Sequence, residues 1–345
     1  MAKMKVATLT APETLVFGEK EIPAPKAGEI LIKVERVGIC GSDSAIYLGN
    51  HPYVSYPVVM GHEFSGRVYK LGPGLDGPAP GTRVAVIPHL VCGECKPCGE
   101  KIYNFCERLR CTGAEADGAH CGYIAMPSEM VLPIPDAMSM DDAAMAEPAC
   151  VAYHAAKRGE ITAADTALII GAGPIGNFCM QSVKALGAKK AYIADLDAMR
   201  LGLAASLGAD GTINITEETL EAGLDRLCGG HLEVDVFYDC VGEKGGVFND
   251  ILRLARRGAR AVVVGVLQNG YDIPLLPDFV QHELRLSGTT MYTPEDYADM
   301  LRMMGDGTIR TDGMITHYFE FDQIVRVFER IVKKDMQFFK IMLKI

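Results

Sequence analysis

The chain has 345 residues, 49% of them hydrophobic and 23% charged, which is a soluble globular composition long enough for two domains. Its 34 basic and 44 acidic side chains leave a net charge of −10, which argues against nucleic acid or an anionic membrane surface as a partner. The start, Met1 to Val6, lacks the apolar core of a signal peptide and no apolar run is long enough to span a bilayer, so a cytoplasmic protein with a small-molecule ligand is expected.

Residues 6–37 read as short strands at 6–9, 15–17 and 29–37, with Pro23 and Pro25 before the third, and they open an irregular β barrel. The third strand delivers Gly38-Ile39-Cys40-Gly41-Ser42-Asp43, a Gly-flanked turn, and a turn-rich polar segment then leads to Gly61-His62-Glu63. A thiolate, an imidazole and a carboxylate are ligand types that hold zinc while leaving a position open for a substrate oxygen. Ser42 stands two residues past the thiolate, close enough to relay a proton. Taken alone, Cys40 and His62 also fit a buried thiol beside a core histidine.

Strands are expected at 64–71 and 83–87, separated by a Gly- and Pro-rich loop. Next comes Cys92-x2-Cys95-x2-Cys98-x7-Cys106, a spacing that closes a tetrahedral structural zinc site with no position left open. Eleven cysteines in a reducing compartment read first as metal ligands where they cluster. Cys111, Cys121, Cys150, Cys179, Cys228 and Cys240 lie outside that spacing and read as small packing residues. Glu147-Pro148 precedes an expected helix at 149–158, where the acid serves either as a helix-start partner or, with Cys40 and His62, as a third oxygen ligand or a group acting through water.

From Thr166 the pattern becomes that of a strand buried on both faces, followed at once by Gly171-Ala172-Gly173-Pro174-Ile175-Gly176 and a helical segment at 177–186. In that context the glycines permit a tight turn and close approach to a pyrophosphate at a helix N-terminus. A second strand ends at Asp195, 19 residues after Gly176, where a carboxylate accepts hydrogen bonds from ribose hydroxyls and repels an added phosphate, so NAD is favoured over NADP. Further strands at 234–239, 261–266 and 284–287 and a helix at 246–256 complete a parallel sheet covered by helices, with Val264 and Val266 at the cofactor end of their strand. Helices at 293–304 and 322–333 and a last strand at 337–345 have no place in that sheet and are expected to return to the first domain.

Two zinc patterns and a dinucleotide fingerprint in this order resemble the medium-chain zinc-dependent dehydrogenases over nearly the whole chain. Glu147-Pro148 in place of a cysteine ligand is similar to the polyol branch, which includes sorbitol, galactitol-phosphate and threonine dehydrogenases. Asn50-His51-Pro52, the run into Gly61-His62-Glu63, and Thr293-Pro294-Glu295-Asp296 are similar to sugar-acid (hexonate) 5-dehydrogenases. The resemblance implies an α/β protein: a Rossmann doubly wound parallel sheet at 151–289, and a groES-like β-barrel catalytic domain from 1–150 and 290–345. It also implies a homodimer or homotetramer.

Carried over by position, Cys40, His62 and Glu147 hold a catalytic zinc with Glu63 as an adjacent or exchanging ligand, Ser42 relays the proton, and Asp195 with Arg200 contacts adenosine. Ala45 replaces a histidine that many relatives use as a relay station, and His51 is either its substitute or a loop histidine without a role. Similar enzymes usually carry Gly-Phe or an aliphatic residue at Ala119-His120, so His120 is either a polar contact to substrate or a structural residue. The function so implied is reversible NAD-dependent oxidation of a secondary alcohol on a polyol, sugar alcohol or sugar acid. Threonine or short-chain diol oxidation is the enzymatic alternative, and a dinucleotide-binding sensor or structural protein the non-enzymatic one.

Overall fold

Alternating apolar and polar residues in the first third of the chain form antiparallel strands in the computed structural model, which describes residues 2–230, 234–242, 246–265 and 276–345. In chain order they are β1 (Lys3–Ala11), β2 (Thr14–Glu21), β3 (Glu29–Ile39), helix α1 (Gly41–Tyr47), β4 (Val58–Val59), β5 (Glu63–Leu71) and β6 (Arg83–Val86). There follow β7 (His89–Leu90), helix α2 (Lys96–Gly99), β8 (Arg110–Cys111), β9 (Tyr123–Pro127), β10 (Val131–Pro133) and helix α3 (Met140–Arg158). β3 is the hub: it pairs antiparallel with β5 and β9, and its inward face buries Ile30, Ile32, Val34 and Val37.

Two segments differ from the sequence expectation. Residues after Cys40 form helix α1 rather than a turn, because the Asp43 carboxylate reaches back to accept the Cys40 N–H at 2.9 Å and satisfies a donor at the helix start. The helix expected at 149–158 begins instead at Met140. Ser139 Oγ accepts the Asp142 N–H at 3.0 Å and Asp142 Oδ2 accepts the Ser139 N–H at 3.3 Å, which sets the start nine residues earlier. Pro148 therefore lies inside α3, and Glu147 is two turns into the helix rather than at its N-terminus.

After α3 the rhythm is βα. It consists of β11 (Thr166–Ile170), α4 (Pro174–Ala185), β12 (Lys190–Asp195), α5 (Ala198–Ser206), β13 (Gly211–Asn214) and α6 (Leu220–Cys228). It continues with β14 (Val236–Asp239), α7 (Gly246–Leu254), β15 (Arg260–Val263), α8 (Leu276–Gln281) and β16 (Arg285–Gly288). Among the described residues these strands form one parallel sheet in the order β13-β12-β11-β14-β15-β16. The order reverses beside β11, and in open α/β sheets that reversal is where ligands bind.

The C-terminal elements are α9 (Pro294–Gly305), β17 (Ile315–Glu320), α10 (Ile324–Lys333) and β18 (Lys340–Lys344). β18 pairs with β3, and Phe328 of α10 stacks on Tyr47 of α1 at 5.2 Å between ring centroids. The chain thus divides into one unit of Met1–Glu147, Thr293–Asp306 and Gly313–Ile345, and another of Pro148–Tyr292 and Gly307–Asp312. No helix among the described residues is long and apolar enough to cross a membrane.

The first turn of α4 allows no side chain where it lies against the turn that leaves β11: a Cβ on Gly176 would collide with the Gly171 carbonyl oxygen. Replacing Gly176 with alanine is expected to destabilise the protein by about 1–3 kcal/mol, read as a lower urea midpoint. An unchanged midpoint would show that the turn can open to accept the methyl group.

Candidate active site

β3 ends at Ile39, so Cys40 emerges at the point where strand becomes helix, and β5 starts at Glu63 directly across from Gly38. This register brings Cys40, His62 and Glu63 together, and one donor atom from each lies within 4.8 Å of the others. His62 turns Nδ1 toward Asp43 Oδ1 at 3.4 Å, which leaves Nε2 for the cluster. Asp43 has no exposed surface. Burial opposes its charge, yet His62 beside it keeps its carboxyl below the usual carboxylate range. Burial likewise opposes a charge on His62, but Asp43 and Cys40 outweigh it and hold the imidazole well above the ordinary histidine range.

Glu63 is fully buried and is held by Lys340 of β18, whose Nζ lies 2.7 Å from Oε1 and 2.5 Å from Oε2. Lys340 also donates to the Ile39 carbonyl at 3.2 Å, so its three donors are used. Burial would lower the Lys340 pKa, but the Glu63 charge raises it above the ordinary lysine value.

Other expected residues take different places. Ser42 is half-buried in the first turn of α1. Glu147 is buried but outside the three-residue cluster, although its charge reaches Cys111, which also senses His62. His51 is half-buried, its Nδ1 3.4 Å from the Tyr53 N–H, and burial lowers its pKa. His120 has no exposed surface: it packs edge-on against Phe328 with centroids 6.0 Å apart and lies beneath Gly61, where an added Cβ would come within 2.7 Å of its ring. His120 thus supports from beneath the loop that carries His62. Burial depresses its pKa to about 4, so the ring is neutral near pH 7.

The four sulfurs of Cys92, Cys95, Cys98 and Cys106 also lie within 4.8 Å of one another. Cys92 and Cys98 are 3.8 Å apart, close to the edge of about 3.8 Å that zinc–sulfur bonds of about 2.3 Å give a tetrahedron. Backbone N–H groups already point at the sulfurs, Cys95 to Cys92 at 3.4 Å and Cys92 to Cys106 at 3.3 Å. The Cys95 N–H is the main reason that the Cys92 thiol falls to about 6, while burial pushes the Cys98 thiol beside it up to about 12.

In the second unit Gly171 has φ +97°, and a Cβ there would press on Val241 and on the Cys240 backbone. An added Cβ on Gly173 would meet nothing within 4 Å, so the backbone is uncovered just before α4, which starts with Pro174 and Ile175. Asp195 Oδ2 accepts the Ala172 N–H at 2.6 Å and thus ties the end of β12 to this turn. Arg200, on α5, leans toward Asp197 at 3.8 Å. The Val264 N–H bonds the Asp239 carbonyl at 2.9 Å just past β15, whereas Val266 lies outside the described residues.

Comparison with known proteins decides the family. Residues 26–136 match the alcohol dehydrogenase GroES-like domain, and residues 174–306 match the zinc-binding dehydrogenase domain. The chain is 34% identical to L-galactonate-5-dehydrogenase of Escherichia coli K12, over 99% of this chain and 98% of the relative. The chain belongs to the zinc-binding alcohol dehydrogenases. This zinc-binding dehydrogenase is also 32% identical to sorbitol dehydrogenase of Bacillus subtilis 168, over 98% of its own length and 96% of the relative's. An alcohol dehydrogenase of Escherichia coli CFT073, solved in complex with NADH, superposes with a TM-score of 0.92 at 31% identity and full coverage of both chains.

Sequence reading missed two residues of the dehydrogenase's site. Asp43 was in plain view three residues after Cys40, but its role depends on the helix start that turns it toward His62. Lys340 gave almost no signal, because a lone lysine in an apolar strand is normally exposed.

Two outcomes follow for this dehydrogenase. Lys340→Met leaves Glu63 as a buried charge without its partner, so the urea midpoint should fall by the equivalent of about 3–5 kcal/mol, and Glu63→Gln in the same chain should recover part of it. If Lys340→Met has no effect, the pair carries no structural constraint. Removing metal with a strong chelator, or replacing Cys98 with serine, should lower the Tm and expose the 92–106 loop to protease, as judged by calorimetry and limited digestion. Unchanged melting and digestion would mean that the four sulfurs hold no structural ion.

Proposed function

We propose that this dehydrogenase catalyses the reversible, NAD-dependent oxidation of a secondary alcohol on a polyol, sugar alcohol or sugar acid. The observation that carries the reading is the convergence of Cys40, His62 and Glu63 at one strand end, with Asp43 and Lys340 fixing two of the three. The donor set suits zinc, with Glu147 as a further oxygen ligand or a group acting through water. A second zinc at Cys92, Cys95, Cys98 and Cys106 is structural. The chemistry that a bound zinc and a nicotinamide would supply is polarisation of the alcohol oxygen and acceptance of a hydride.

The chain's own residues do the rest. Asp43 holds the His62 tautomer, and Lys340 holds the Glu63 carboxylate in place. Ser42 accepts the alcohol proton and passes it on, with His51, neutral because burial lowers its pKa, as the next acceptor. In the cofactor half, Gly171, Gly173 and Gly176 admit the pyrophosphate and Asp195 accepts from the ribose hydroxyls, with Arg200 beside it, which selects NAD over NADP. The names of the relatives, one a sugar-acid and one a polyol dehydrogenase, support a polyhydroxylated substrate.

Cys40→Ala and His62→Ala should each lower kcat by about 10³-fold, the equivalent of several kcal/mol of lost alcohol polarisation, while NADH fluorescence titrations stay nearly unchanged. Loss of NADH binding in a folded variant would overturn this separation of roles. A panel of hexitols, pentitols, hexonates, threonine and 2,3-butanediol, assayed with NAD and NADP, tests the substrate class, and preference for threonine or butanediol would favour the alternative.

A further inference from the structure

His120 has no exposed surface, and among the described residues neither its Nδ1 nor its Nε2 has a hydrogen-bond partner. Its main chain is fixed on both sides, since its N–H bonds the Met60 carbonyl at 2.9 Å and its carbonyl accepts the Ala7 N–H at 3.0 Å. The ring therefore cannot swing out to solvent. Buried polar atoms are nearly always paired, and a phenylalanine would fill the same space with no polar atom to satisfy.

A second unpaired atom belongs to Asp43, which is also fully buried. Its Oδ2 accepts the Cys40 N–H, but among the described residues Oδ1 has only the long 3.4 Å contact with His62 Nδ1. Packing brings Asp43 and His120 into the same part of the core. Asp43 shares the buried face of α1 with Tyr47, one turn further on, and Phe328 stacks on Tyr47. His120 packs on that same Phe328 ring, while its Nε2 edge lies against Gly61, the residue before His62, where an added Cβ would come within 3.0 Å. Burial works against the Asp43 charge, and His62 and then His120 favour it, as two imidazoles near one carboxylate would.

We propose that His120 is a positioning residue for the cluster of Cys40, His62 and Glu63: it donates to a buried water that donates in turn to Asp43 Oδ1, and so fixes the carboxylate that orients His62. The inference rests on the zinc reading above and extends the support of His62 one residue further into the core. A neutral imidazole offers one donor and one acceptor, and a buried water typically makes about three hydrogen bonds, so one water can take up a ring N–H and the free Asp43 oxygen together. Groups behind a metal-binding histidine set metal affinity without touching the metal.

The test compares wild type, His120→Phe and His120→Gln, of which only the glutamine keeps a donor. In chelator competition the zinc at Cys40 and His62 should be held about tenfold more weakly in His120→Phe and within about threefold of wild type in His120→Gln, with the four-cysteine zinc unchanged in all three. Cobalt substituted at Cys40 and His62 should give a visible spectrum that shifts in His120→Phe and returns toward wild type in His120→Gln. A high-resolution crystal structure of the wild type should show a water within hydrogen-bond distance of both His120 and Asp43 Oδ1. The proposal is overturned if that water is absent, if His120→Phe holds zinc as tightly as wild type, or if both variants weaken it alike, which would mean that the ring acts by shape alone. Cobalt spectra that are the same in wild type and Cys40→Ala would instead overturn the zinc reading itself, and the inference with it.

Discussion

A carboxylate and an ammonium, both out of reach of water, set the terms for the rest of the catalytic unit. Burying either one alone would cost several kcal/mol, so Glu63 and Lys340 can stand here only together. Their partnership links β5 near the start of the chain to β18 at its end, 277 residues apart in sequence. It also explains why Gly38 carries no side chain, because a Cβ there would collide with Glu63 Oε2. With both carboxylate oxygens held by Lys340, Glu63 is oriented before any ligand arrives.

The two clusters of potential metal ligands have opposite designs. Cys92, Cys95, Cys98 and Cys106 come from a single short stretch of chain, and backbone N–H groups point at their sulfurs. Such a site needs no distant support and can close on itself. Cys40, His62 and Glu63 sit instead at the ends of regular elements, with Asp43 behind one ligand and Lys340 behind another. Support of that kind holds donors in place while leaving room for a reacting group.

Close backbone approach is the second recurring device. Gly61, Gly113 and Gly118 let one loop lie on another next to His62, with the His120 ring wedged beneath. Gly171 and Gly176 do the same at the dinucleotide turn, where Asp195 clamps the Ala172 N–H. Both places trade side-chain packing for accurate backbone position, and both flank a proposed reacting partner.

Local chemistry was legible from residues alone. The four-cysteine spacing, the glycine turn between a buried strand and a helix, and the parallel βα rhythm each depend on neighbours within about a dozen positions, so periodicity and spacing report them directly. The helix at 41–47 and the early start of α3 were legible in principle through the acids at Asp43 and Asp142, whose capping bonds are local but are outweighed by turn-like composition in a pattern reading. Only the tertiary structure decided that His120 is buried beneath Gly61 and that Lys340 meets Glu63. Those facts depend on strands and loops far apart in the chain coming into register, and one sequence carries no record of which buried charge a distant strand will bring to meet another.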